Sequence, residues 1–208
     1  MATTVAQPLF PVTVFAHTVD QPDALNRKLE KRVRAIAEAH PLWMGKASPW
    51  QCAPDLHTQP GFRPLVDAVD EAMRAVVSAL QYDVEGWSIT GMWANWLHPG
   101  EVHPPHSHPN NAWSGVYYIR SNAEEEAPIT FFHPARAADV LRPRVKAWTV
   151  GNATTWQMPA TEGTLYLFPA WLMHWVPPVR HDRISVAFNI QWRGELGDRD
   201  AFAWSRVT

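Results

Sequence analysis

The run Arg183-Ile184-Ser185-Val186-Ala187-Phe188-Asn189-Ile190-Gln191-Trp192 alternates almost without fault. Successive side chains of a strand point to opposite faces. Ile184, Val186, Phe188, Ile190 and Trp192 therefore share one side, and Arg183, Ser185, Ala187, Asn189 and Gln191 the other. The first side is plainly buried. The second meets solvent in an open sheet, but in a closed sandwich it lines the interior mouth. An arginine placed there is a forked, permanently charged receptor for a carboxylate. Further β-branched or aromatic runs lie upstream: Trp87–Leu97, Ala112–Arg120, Ile129–His133, Ala147–Met158, Thr164–Phe168 and Trp171–Val176. Pro, Gly, Asn and acidic clusters separate them. Seven or so short strands predict an antiparallel sandwich or barrel, with a jelly roll as the leading arrangement.

Before Trp87 the pattern is helical. A short strand is expected around Val12, Val14 and Phe15. Leu25, Leu29, Val33, Ile36 and Ala37 then recur at helical spacing, with Asp20, Pro22 and Asp23 as start signals and Pro41 as the stop. Residues 41–61 hold four prolines and read as an irregular connection. A second helix is expected from about Phe62 to Tyr82, with a wide apolar stripe through Leu65, Val69, Met73, Val76 and Leu80. Both stripes suit helices laid on one face of a sheet. The expected fold is thus mainly β (α+β), one domain over 1–208 with a helical support layer at 20–82 and a jelly-roll core at 87–192.

Composition narrows the function classes. Of 208 residues 46% are hydrophobic and 18% charged, enough apolar material for a sizeable core. Eighteen basic against 20 acidic residues argue against a broad nucleic-acid surface. A single cysteine, Cys52, rules out an intramolecular disulfide or a multi-cysteine metal site and reads as structural. The N-terminus lacks the basic and apolar regions of a signal peptide, and no apolar run reaches the ~18 residues of a membrane span. A cytoplasmic protein is the resulting expectation. Twelve tryptophans would permit a homodimer.

Four of ten histidines, His98, His103, His106 and His108, crowd into Glu101-Val-His-Pro-Pro-His-Ser-His-Pro-Asn110 and its approach. On extended chain, His106 and His108 project together and can share one metal ion, and imidazole suits Fe, Zn, Cu and Ni. The bland alternative is a solvated Pro-His loop. His103, beyond a Pro-Pro step, is expected to be a neighbour rather than a ligand. His174 follows in a strand–turn–strand context, where a lone histidine is usually a satisfied core residue. Nine residues later comes Arg183-Ile-Ser185.

Together, His-x-His, a distant His and Arg-x-Ser in a strand-rich chain resemble the Fe(II)/2-oxoglutarate-dependent oxygenases. Their usual pattern is His-x-Asp/Glu, a distal His and a later Arg-x-Ser on a double-stranded β-helix. A closer resemblance is to a bacterial and phage family of 2-oxoglutarate–iron oxygenases. It is carried by His106-Ser-His-Pro-Asn-Asn-Ala-Trp-Ser114-Gly-Val-Tyr-Tyr118, Asn95-Trp96, Phe132-His-Pro-Ala-Arg136 and Phe188-Asn189, and covers roughly residues 87–192. The resemblance implies Fe(II) held by His106, His108 and His174, and a 2-oxoglutarate co-substrate whose far carboxylate meets Arg183 and Ser185. Tyr118, in phase with His108, is preferred over Tyr117 as a further anchor. Asn95 would contact co-substrate, an imidazole or substrate. The implied reaction uses O2 to oxidise an unidentified small molecule, giving succinate and CO2.

One position departs from the wider superfamily. His108 stands where a carboxylate ligand is usual, so the ion keeps a formal +2 rather than about +1 before a dianionic co-substrate neutralises it. A three-histidine site also suits cupin-like metalloproteins that act without the keto acid. Glu101 or Asp139 as a carboxylate ligand stays open, as does a non-catalytic β-sandwich binding a sugar, peptide or partner subunit. Trp93, Trp96, Trp171, Met173 and Trp175 are either pocket walls or strand core. Asn110 and Asn111 read as turn residues. Glu124, Glu125 and Glu126 read as a solvated loop, and Arg136, Arg142, Arg144 and Lys146 as a solvated positive run or an anion lure.

Overall fold

The computed structural model describes residues 3–5, 10–42, 49–122, 127–135, 143–197 and the backbone of 204–207. Glu124–Glu126, Arg136, Asp139 and Arg142 lie outside the described residues. The chain runs β1 (Phe15–Thr18), α1 (Pro22–Ala39), β2 (Trp50–Gln51), two short 3-10 turns, α2 (Arg63–Leu80), β3 (Gly86–Leu97), β4 (His103–His106) and β5 (Trp113–Arg120). It continues through β6 (Ile129–Phe132), β7 (Thr155–Met158), β8 (Thr164–Pro169), β9 (His174–Val176), β10 (Arg183–Gly197) and β11 (Trp204–Val207). Two antiparallel sheets result. The larger has the order β1-β8-β5-β10-β3-β2, with β11 paired to the far end of β10, and the smaller has the order β4-β9-β6-β7. This is a double-stranded β-helix, or jelly roll, with two helices added.

The helices cover the outer face of the larger sheet. Leu29 and Val33 of α1 and Leu65, Val69, Met73 and Val76 of α2 form one core with Ile184, Val186, Phe188 and Ile190 of β10. The apolar row of β10 thus faces the helices, as its alternation predicts. The opposite row faces the gap between the sheets, where a second core of Val116, Tyr118, Ile129, Phe131, Tyr166, Phe168 and Leu172 closes the sandwich. Helix starts follow local chemistry. Pro22 occupies the first turn of α1 and Pro64 that of α2, positions where a missing N–H costs nothing. Neither described helix is long and apolar enough to cross a membrane.

Three expectations shift. Only Thr155–Met158 of the run Ala147–Met158 is strand. Residues 149–153 instead form a turn in which the Thr149 carbonyl accepts from Asn152 N at 3.1 Å and Ala153 N at 2.9 Å, since Gly151-Asn152 favours a turn over a ladder. Trp171–Val176 begins as a turn closed by Leu172 N donating to Pro169 O at 2.9 Å, and strand geometry starts at His174. The stretch His103–His106, not among the expected strands, forms β4 with the Pro104-Pro105 step inside it. Prolines cannot donate to a ladder and are confined to edges, and β4 is an edge strand that pairs with β9 only at His103↔Val176 and His106↔His174.

Gly115 is required by close approach. A Cβ there would stand 2.5 Å from the carbonyl oxygen of Tyr166 and would also strike the ring of Phe188, its cross-strand partner. Gly115→Ala is therefore expected to destabilise the fold by about 1–3 kcal/mol. Gly151→Ala, whose added atom meets nothing nearer than 3.8 Å, should be close to neutral. Urea denaturation midpoints check both, and equal midpoints for the two variants would contradict this packing.

Candidate metal centre and its cavity

Pairing of β9 with both neighbours builds the site. His174 lies opposite His106 of β4 on one side and opposite Phe131 of β6 on the other. Directly opposed residues share a face, so His106, His174 and Phe131 all look inward. His108 arrives just past the end of β4, where its backbone N–H donates to Ala170 O at 2.8 Å. One potential ligand atom from each of His106, His108 and His174 lies within 4.8 Å of the other two. A point central to three such atoms is at most about 2.8 Å from each, so a modest inward closure reaches metal–nitrogen bonding distance. The strand geometry first expected for both residues holds for His106 alone; His108 converges from the following loop.

Hydrogen bonds fix the tautomers of two of these rings. His106 Nδ1 is 2.7 Å from Pro104 O, and His174 Nδ1 is 2.8 Å from Leu172 O. A carbonyl oxygen can only accept, so each Nδ1 carries the hydrogen and each Nε2 keeps its lone pair for a metal. Burial between Phe168 and Phe131, whose ring centroids lie 4.7 and 5.9 Å away, pushes the His174 pKa down to about 3. Burial, then the charge of His106, takes His108 down to about 4. Both rings are thus neutral at pH 7, the form that binds metal. These residues fit a divalent ion with nitrogen preference, iron included.

The three histidines open into a cavity of about 70 Å³ that also reaches Trp93, Asn95, His103, Arg183, Ser185 and Gln51. Arg183 is 2% exposed and Ser185 4% exposed, at the start of β10. Arg183 Nη1 donates to Ala127 O at 3.0 Å, while its Nε is buried without a hydrogen-bond partner among the described residues. No carboxylate there forms an ion pair with it among those residues. Tyr118 does not reach the cavity wall. Its ring lies 4.9 Å from the Arg183 guanidinium carbon and its hydroxyl is buried beside that side chain. Tyr117 points to the helical side, donating to Asn26 Oδ1 at 2.6 Å. Asn95, 4% exposed, accepts from Gln51 Nε2 at 2.7 Å. Gln51 was absent from the sequence expectations because it sits in the proline-rich connection, and only pairing of β2 with β3 brings it in.

Other candidates fall elsewhere. Trp96 faces the helices, with the Arg34 guanidinium 4.5 Å from its ring. Trp171 is 57% exposed and Met173 36% exposed, outside the cavity lining. Trp175, opposite Thr130, lies on the outer face next to His174. The Glu101 carboxylate accepts from His98 N at 2.9 Å and is not among the clustered ligand atoms. Asn110 takes a left-handed φ of 64°, in keeping with a turn role. Cys52 is buried, its thiol pushed up to about 11 by burial, and its sulfur accepts from Ala94 N at 3.1 Å.

A jelly roll holding three inward imidazoles defines a class of candidate metal-dependent proteins. Residues 91–189 match the model of a family described as "Putative 2OG-Fe(II) oxygenase". No curated protein matches the chain. Among solved structures it is similar to a prolyl-4-hydroxylase of Pseudomonas putida, at 16% identity and a TM-score of 0.62, over 88% of this chain and 94% of that one. It is also similar to HygX of Streptomyces hygroscopicus, solved with nickel, 2-oxoglutarate and hygromycin B, at 13% identity and a TM-score of 0.60, over 86% and 83%. A prolyl hydroxylase of Trichoplax adhaerens in complex with a hypoxia inducible factor peptide fragment gives 11% identity and 0.59, over 86% and 83%. At these identities the likeness is one of fold.

The depressed histidines carry a pH consequence. Burial holds His103 and His108 at about 4 and His174 at about 3, all below the ordinary imidazole value of 6.5. Between those values the unfolded chain binds more protons than the fold, so stability rises with pH. Metal-free protein should keep this stability above about pH 6.5 and lose it as pH falls toward 4. Urea midpoints at neutral and mildly acidic pH test this, and a midpoint unchanged across that window would show that these rings are not buried neutral.

Proposed function

We propose that this chain is an Fe(II)- and 2-oxoglutarate-dependent oxygenase acting on a small molecule. The observation that carries the proposal is Arg183: a guanidinium buried beside three imidazoles, with no carboxylate partner among the described residues. Burying a charge is costly unless it is paired. An anionic ligand supplies the missing partner, and a site needing only a metal has no use for one.

In this reading His106, His108 and His174 would hold the ion, and the carbonyls of Pro104 and Leu172 keep two of the rings turned inward. Arg183 and Ser185 bind the far carboxylate of the keto acid, with the Tyr118 ring beneath the guanidinium as support. When bound, Fe(II) and the keto acid supply oxidation of a substrate C–H bond by O2, coupled to decarboxylation of the keto acid to succinate and CO2. The chain's own work is to orient, to exclude water and to balance charge. Asn95, whose Oδ1 accepts from Gln51, lines the cavity, where its amide can orient co-substrate or substrate. Residues 87–192 form the catalytic jelly roll and 20–82 its support within one domain.

Metal analysis and anaerobic 2-oxoglutarate titration of the Fe(II) protein test the proposal through the visible charge-transfer band of such chelates. The parent should bind one iron per chain and develop the band. Arg183→Ala should keep its iron and bind 2-oxoglutarate weaker by about 2–4 kcal/mol, since it strands a carboxylate in a partly dry pocket. His174→Ala should lose the iron. Parent-like binding in both variants would overturn the assignment, and iron without the band would favour a three-histidine enzyme that uses no keto acid.

A further inference from the structure

His103 was expected to be a neighbour of the metal site rather than a ligand. It lines the same cavity as Arg183 and Ser185, and its Nε2 is buried with no hydrogen-bond partner among the described residues. Such an atom is costly to bury unless something pairs with it. The same is true of Arg183 Nε. Unsatisfied polar atoms of two side chains, one from each sheet, thus belong to one end of the sandwich.

The topology explains the gathering. His103 pairs with Val176 across β4 and β9, while Arg183 pairs with Leu97 across β10 and β3. Val176 and Leu97 belong to one small apolar cluster with Val179. That cluster pins the His103 end of the smaller sheet over the Arg183 end of the larger one. The His106 ring lies 6.4 Å from the His103 ring, a step that the backbone of a short dicarboxylate can bridge. His103 is not among the three clustered ligand atoms.

We propose that His103 is a further binding residue for the co-substrate, donating a hydrogen bond from Nε2–H to the same carboxylate that Arg183 pairs. The inference rests on the function proposed above. An anion facing Nε2 selects the tautomer that carries its hydrogen on that nitrogen. Guanidinium, hydroxyl and imidazole then address one carboxylate from both sheets, and the ligand joins the two halves of the sandwich. His103 accordingly contributes to affinity for 2-oxoglutarate and not to metal retention.

Calorimetric titration of the Ni(II)-loaded protein with 2-oxoglutarate tests this without turnover. His103→Ala and His103→Leu should each retain one Ni(II) per chain and bind 2-oxoglutarate about 10- to 100-fold more weakly, the range for losing a hydrogen bond to a charged group. His103→Gln, which restores an N–H donor, should recover part of the loss, a recovery that a purely packing role would not give. Parent-like affinity in His103→Ala, with affinity lost in Arg183→Ala, would overturn the role of His103 alone. Loss of Ni(II) from His103→Ala would overturn it too, by making His103 a ligand. Absence of binding by the parent would overturn the underlying function instead. If the alanine variant does not fold, the imidazole nitrogen resonances of parent His103 serve: an Nε2–H signal shifted by 2-oxoglutarate supports the role, and an Nε2 that stays unprotonated with 2-oxoglutarate bound overturns it.

Discussion

The site depends on one short strand, β9, being paired on both sides. Its first residue, His174, is fixed opposite His106 by β4 and opposite Phe131 by β6. Register in a sheet is all-or-none with respect to face, because a one-residue slip turns every side chain over. A slip of β9 would send His174 outward and draw Trp175 in. The apolar neighbours Phe131 and Phe168 prevent this by making the inward position hydrophobic, and the same apolar enclosure keeps His174 neutral. Register, burial and protonation state are thus one constraint seen three ways.

The larger sheet supplies the complementary half. Its strand β10 spends one face on the helical core and turns the other into the gap between the sheets, so a single alternating sequence both anchors the fold and carries Arg183 and Ser185 to the cavity. Among the described residues the electrostatics are lopsided: a guanidinium without a carboxylate partner, His108 and His174 held neutral by burial, and no carboxylate in the cluster. Such a cavity favours a divalent cation together with a dianion over either alone. In the proposed reading His108 in place of a carboxylate strengthens that preference, since no carboxylate among the described residues joins the cluster.

Much of this was legible in residue order. The alternation of Arg183–Trp192 gave both faces of β10 correctly, and helical spacing located α1 and α2 within a few residues. The trio His106, His108 and His174 was readable because the motif elements combine, although each is weak alone. What escaped depended on long-range pairing. Gln51 enters the cavity only because β2 adds to β3, a contact between residues 44 apart that no local pattern encodes. His103 was expected as a neighbour of the site beyond the Pro104-Pro105 step, but its strand pairing was not legible, because only an edge strand tolerates prolines that a central strand would not. The strand expected over Ala147–Met158 failed in its first half because β-branched content competed with Gly151-Asn152 turn chemistry and lost.

Anomalous diffraction at the iron edge, from crystals of the Fe(II) protein grown without oxygen in 2-oxoglutarate, tests the central claim most directly. The account predicts one anomalous peak at bonding distance from nitrogens of His106, His108 and His174, with the ligand's far carboxylate against Arg183. A peak elsewhere, a peak bound by only two of these histidines, or a carboxylate turned away from Arg183 would contradict it.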